Sequence, residues 1–140
     1  MNYANFSQLI FTVNKLYTEK TNDNLKEYNV TRSDMSLLIK LKEDGKMTQK
    51  ELAEAKNLNT ATVARALDRL EKKGFVKRES NMKDKRKKNI VLTEKGIHII
   101  SEILIKHENF KKDIFKEFDD EDYLQLVKYL EMLSASLKYY

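Results

Sequence analysis

Residues 59–90 carry the side chains with the most chemistry to offer. Thr60, Thr62 and Arg65 follow Asn59 within the first turn and a half of a helix, with Ala61 and Ala64 between them. Arginine presents a planar fork that meets two acceptors at once. A threonine hydroxyl donates or accepts while its methyl meets apolar atoms, and the alanines add no bulk. Some twenty residues on, Lys83, Lys85, Arg86 and Lys87 crowd one short segment, with Asp84 among them. Eleven lysines and arginines stand against four acidic residues in 59–90. The chain as a whole carries only +5, so everything outside that stretch sums to −2. Charge so concentrated points to a polyanionic partner or, failing that, to a solvated face and loop.

The surrounding pattern predicts the elements that hold these groups. At 100° per residue, Val63, Ala66, Leu67 and Leu70 share one side of a helix and must pack inward, leaving Ala61, Arg65, Asp68 and Lys72 opposite. Asp68, three residues after Arg65, is placed to hold its guanidinium. Asn59 caps this helix and Gly74 ends it. Ahead of it, Thr48 and Glu51 spell a capping box for a short helix over Gln49–Lys56. Thr31 with Asp34 starts another, which carries Met35, Leu37, Leu38, Ile39 and Leu41 and stops at Gly45. Phe6, Leu9, Ile10, Val13, Leu16 and Tyr17 are spaced as a first amphipathic helix, and TNDN at 21–24 reads as a break.

Downstream, residues 75–80 and 88–93 read as two strands, with Ile90 and Leu92 alternating on one face and the basic tip as their hairpin loop. Thr93 caps a long helix bearing Ile97, Ile100, Ile103, Leu104, Phe110, Ile114, Phe115 and Phe118. Asp119 and Asp120 mark a joint before a last helix with Leu124, Val127, Leu130, Leu133 and Leu137. Helix, turn, helix and hairpin in that order define a winged helix-turn-helix, mainly α with a small β-hairpin wing. In such a unit the second helix enters the major groove. Arg65 then reaches guanine O6 and N7, Thr60 and Thr62 reach phosphate or base, and Arg86 at the wing tip enters a narrow minor groove. Thr48, Asn59, Ala61, Ala64, Lys83, Lys85 and Lys87 complete the DNA-binding set, and Asp84 supports the wing by orienting an arginine.

Composition narrows the alternatives. With 140 residues, 41% hydrophobic and 35% charged, the chain is expected to form one soluble globular domain over 1–140, rich in helix because it has three glycines and no proline. Zero cysteines remove disulfides and thiolate metal sites. No apolar run approaches the roughly 18 residues of a membrane span, and the opening MNYANFSQLI lacks the pattern of a secretory leader, so a cytoplasmic location is expected. His98 and His107, nine residues apart on one helix, turn to opposite faces. Glu94, His98 and Glu102 line up at four-residue spacing, which suits ion pairing on a helix surface better than a metal. No glycine-rich phosphate loop, Ser-His-Asp set or inward carboxylate pair is present, so neither catalytic residues nor a cofactor is expected.

The stretch TVARALDRLEKKGFVKRE, followed by DKR and, after a short strand, LTEKG, resembles the MarR family of bacterial and archaeal transcription regulators. The likeness spans nearly the whole chain and places the family's recognition-helix arginine on Arg65, its wing aspartate on Asp84 and its wing arginine on Arg86. It implies binding at a pseudopalindromic operator in double-stranded DNA, usually repression, and often release by a small phenolic or other ligand. Met82 and Lys83 stand where many members carry a proline just before the wing aspartate, which bears on the wing's rigidity.

A homodimer is expected independently of the resemblance. The winged core needs only residues 31–96 or so, yet the flanking helices, about 3–20 and 97–140, offer Phe6, Leu9, Ile10, Val13, Leu130, Leu133 and Leu137. Two copies related by a twofold axis would set their recognition helices about one DNA turn apart. Tyr3, Tyr17, Tyr28, Tyr123 and Tyr129 are candidates for an effector pocket or for plain packing. The competing reading is a winged-helix module that contacts an acidic protein or binds nucleic acid without sequence preference.

Overall fold

The computed structural model describes all 140 residues. Six helices run in the order α1 (Ala4–Leu25), α2 (Arg32–Asp44), α3 (Gln49–Lys56), α4 (Thr60–Lys72), α5 (Glu94–Ile114) and α6 (Asp120–Lys138), with a 3-10 turn over Lys26–Tyr28. Three short strands, β1 (Met47–Thr48), β2 (Val76–Ser80) and β3 (Lys88–Leu92), form an antiparallel sheet in the order β1-β3-β2. The chain divides into two compact units, Met1–Ile105 and Lys106–Tyr140.

Side-chain caps set several helix starts. Thr31 accepts from the Asp34 N–H at 3.1 Å, and the Asp34 carboxylate accepts from the Thr31 N–H at 3.3 Å, a complete capping box. At α3 only half of the expected box forms. Thr48 accepts from the Glu51 N–H at 3.1 Å, but its hydroxyl then donates to the Glu51 carboxylate at 3.2 Å instead of leaving that carboxylate to the backbone. Asn57, at a φ of 52°, ends α3, with its own N–H bonded to Glu54 and that of Leu58 to Ala53. These reversed hydrogen bonds close the helix and turn the chain into α4 within three residues.

Three expectations change. Residues 21–24 do not break the first helix, because α1 continues through them to Leu25, where Thr21 and Leu25 are buried. Packing there overrides the weak helical propensity of the Asn and Asp residues. The sheet has a third strand, Met47–Thr48, paired with Ile90 and Asn89 of β3. The fifth helix ends at Ile114, so Phe115 and Phe118 lie in the turn beyond it. There Phe115 meets the Phe118 and Tyr123 rings edge-on, at 5.4 and 5.1 Å between centroids.

The core of the first unit gathers Leu37, Leu38, Leu41, Leu52, Val63, Leu67, Leu70, Val76, Ile90, Ile100 and Ile103, each at most 2% exposed. Full burial of such a side chain contributes about 1.5 to 3 kcal/mol. All four residues assigned to the inner face of α4, Val63, Ala66, Leu67 and Leu70, are buried. Arg69 crosses from α4 to α2, donating to the wholly buried Asp34 carboxylate at 3.2 Å. A buried carboxylate without a partner is costly, so this contact holds α4 against α2.

Candidate nucleic-acid interface

The outer face of α4 begins with Asn59, whose side chain accepts from the Thr62 N–H at 2.7 Å and so caps the helix. Thr60, Ala61 and Arg65 are exposed, and Thr62 and Ala64 are half-buried. Gln49 at the start of α3 donates to the Thr60 carbonyl at 3.4 Å, tying the two helices where they meet. Asp68 does not hold Arg65 as its spacing suggests. Its carboxylate receives Arg78 of β2 at 2.9 Å, and the same guanidinium donates to Glu71 at 2.9 Å. Arg65 is left with its donors turned to solvent.

Asn81 organises the wing, and the sequence reading passed over it. Its side-chain oxygen accepts from the N–H groups of Lys83 at 2.9 Å and Asp84 at 3.0 Å, its amide donates to Asn89 at 3.0 Å, and its own N–H reaches the Lys87 carbonyl at 3.2 Å. An asparagine that bonds the backbone two and three residues ahead is a turn signal that could have marked it. These bonds restrain the loop where the proline is missing. Asp84 accepts from the Arg86 N–H at 3.0 Å and from its guanidinium at 3.2 Å. Those two donors hold the Asp84 carboxyl below the usual carboxylate range. Lys83, Lys85, Arg86 and Lys87 are exposed around it.

Between the start of α3 and the wing lies an open cleft of about 280 Å³, lined by Thr48, Gln49, Lys50, Arg78, Arg86, Lys87, Lys88 and Ile90. Thr48 is buried and its hydroxyl is engaged in the α3 cap, so of the anticipated contacts it offers the least. The first unit thus brings the capped start of α4, Arg65 and the wing cations into one module. Extended donors beside clustered fixed charge suit a polyanion bearing hydrogen-bonding edges.

The flanking residues lie where the pattern places them. Phe6, Leu9, Ile10 and Val13 of α1 are exposed, as are Leu130 and Leu137 of α6, while Leu133 is half-buried. A groove of about 450 Å³ runs along α6 past Val127, Leu130, Ser134 and Ala135. Of the tyrosines, Tyr17 lies under the Arg32 guanidinium at 5.5 Å and Tyr28 packs against the core, whereas Tyr3, Tyr123 and Tyr129 are exposed. His98 pairs with Glu102 at 2.9 Å along α5.

This arrangement defines a winged helix-turn-helix protein. The MarR family model matches residues 30–88. Over 125 residues the chain is 36% identical to the uncharacterized HTH-type transcriptional regulator YwoH of Bacillus subtilis, covering 87% of this chain and 90% of that one. The chain belongs to the MarR family of transcriptional regulators. Among solved structures, a MarR family protein from Bacillus stearothermophilus superposes with a TM-score of 0.81 at 26% identity, covering 99% of both chains. The fold is also that of MepR in the S. aureus MepR–DNA complex, with a TM-score of 0.83 at 24% identity over 94% of this chain and 97% of that one.

Proposed function

We propose that this chain is a homodimeric, sequence-specific double-stranded DNA-binding regulator that represses transcription at a pseudopalindromic operator and lets go on binding a small ligand. The observation that carries the reading is the pairing, in one module, of an exposed α4 start bearing Thr60, Ala61 and Arg65 with a wing that presents Lys83, Lys85, Arg86 and Lys87. The helix supplies groove readout and the wing supplies phosphate attraction. The apolar faces left open on α1 and α6 support a second copy as partner. Among relatives, the MepR structure is that of a DNA complex.

A competition binding experiment tests this. The protein should prefer a duplex from the region upstream of its own gene over random duplex by at least about a thousandfold at physiological salt. Equal affinity for both would favour the nonspecific or protein-interaction module instead.

A further inference from the structure

Arg78 projects from β2 toward α4 and makes two ion pairs there. One guanidinium nitrogen donates to Glu71 and another to Asp68, each at 2.9 Å, and the side chain is 25% exposed. The two carboxylates stand one helical turn apart, a span that a planar fork bridges and a point charge does not. They are the only acidic residues of α4. On its other side Arg78 lines the cleft that holds Lys50, Arg86, Lys87 and Lys88, cations that repel it and one another. β2 is an edge strand paired with β3, while β1 holds β3 at Asn89 and Ile90 and Lys46 meets Glu79 at 3.6 Å. Beyond Ser80 and Lys88 the tip relies on its own internal hydrogen bonds.

We propose that Arg78 is a positioning residue for DNA binding, a strut that fixes the wing relative to α4. It need not touch DNA. The proposal rests on the DNA-binding reading above and adds the residue that makes helix and wing a single rigid reader. Because its fork is closed by Asp68 and Glu71, it has fewer donors left for a phosphate than Arg86 has.

Two variants and two readouts test it. In the free protein, Arg78→Met should speed amide hydrogen exchange about tenfold at residues 79–81 and 87–89 while leaving α2 and α3 unchanged, and Arg78→Lys should fall between. In DNA titrations Arg78→Met should weaken binding about tenfold with the slope of log K against log salt unchanged, whereas loss of a direct phosphate contact lowers that slope by about one. Unchanged exchange in the wing overturns the strut, as does a lowered salt slope. If the wild-type chain binds no duplex at all, the regulator reading fails while the exchange experiment still decides the role of Arg78.

Discussion

Gly96 of α5 lies so close to Phe75 that a β-carbon there would sit 2.0 Å from the Phe75 carbonyl oxygen. The approach is locked from both sides. Thr93 accepts from the Gly96 N–H at 3.0 Å, while its hydroxyl donates to the Gly74 carbonyl at 2.5 Å and its own N–H to the Phe75 carbonyl at 3.1 Å. Thr93 therefore caps α5 and fastens it to the turn between α4 and β2. Gly96→Ala should destabilise the fold by about 3 kcal/mol or more, because backbone rather than a flexible side chain must move. Thermal unfolding by circular dichroism checks this; an unchanged midpoint would show that the contact relaxes freely.

Thr21 presents the opposite case, a polar atom with no use. Its hydroxyl is buried in α1 and has no hydrogen-bond partner. Thr21→Val keeps the branched shape and removes the stranded group, so stability should rise by about 1 kcal/mol. A destabilised variant in urea titration would mean that the hydroxyl is satisfied in solution.

These two positions also show what the sequence reveals and what it hides. Caps and inner faces were legible because they depend on residues three or four apart: Thr31 with Asp34, Asn59 with Thr62, and Val63 through Leu70. The continuation of α1 through 21–24 was hidden because burial of Thr21 and Leu25 decides it, and burial is a property of the whole fold. A strand of two residues, Met47–Thr48, shows no alternation to detect. Spacing assigns Asp68 to Arg65 and could not foresee that Arg78, 10 residues on and across a turn, would claim it. Asp84 was legible as a support for Arg86, whereas Asn81 was missed because its role is to arrange backbone rather than to present charge.

The wing's acid sensitivity follows from Asp84. Its ionised form is favoured in the folded protein by the N–H and guanidinium of Arg86, so its carboxyl is held below the usual range. The support is therefore complete above the pKa of an unfolded aspartate, about 4, and is lost only as pH falls through the lower folded value. DNA affinity should show no titration from this group between about pH 6 and 8. Asp84→Asn should loosen the wing across that whole range, visible as faster exchange of the Arg86 amide. A wing that loosens in the wild type near neutral pH would exclude this account.

Specificity and affinity should separate between helix and wing. Arg65 is exposed at the capped end of α4 with no carboxylate holding it, so its fork is available for a base edge. Arg65→Ala should cost about 1 to 3 kcal/mol on the preferred duplex and relax discrimination at one base position. Lys87→Ala should weaken preferred and random duplexes alike and reduce the salt slope by about one. If Arg65→Ala weakens every duplex equally, α4 is not the reader.

The last helix supplies the test of assembly. Leu130 and Leu137 are 47% and 66% exposed and lie outside the buried core cluster, so charging them leaves that core intact. Leu130→Glu combined with Leu137→Glu places two like charges on a face that a second copy would need to desolvate, which should break a dimer built on it. Sedimentation should show the wild type as a dimer at micromolar concentration and the double variant as a folded monomer. Operator affinity should then collapse further than either half-site contact explains, because a monomer loses the effective concentration that links two half-sites. A wild type that sediments as a monomer would remove the dimer from the proposal, and a double variant that stays dimeric would move the interface away from this face of α6.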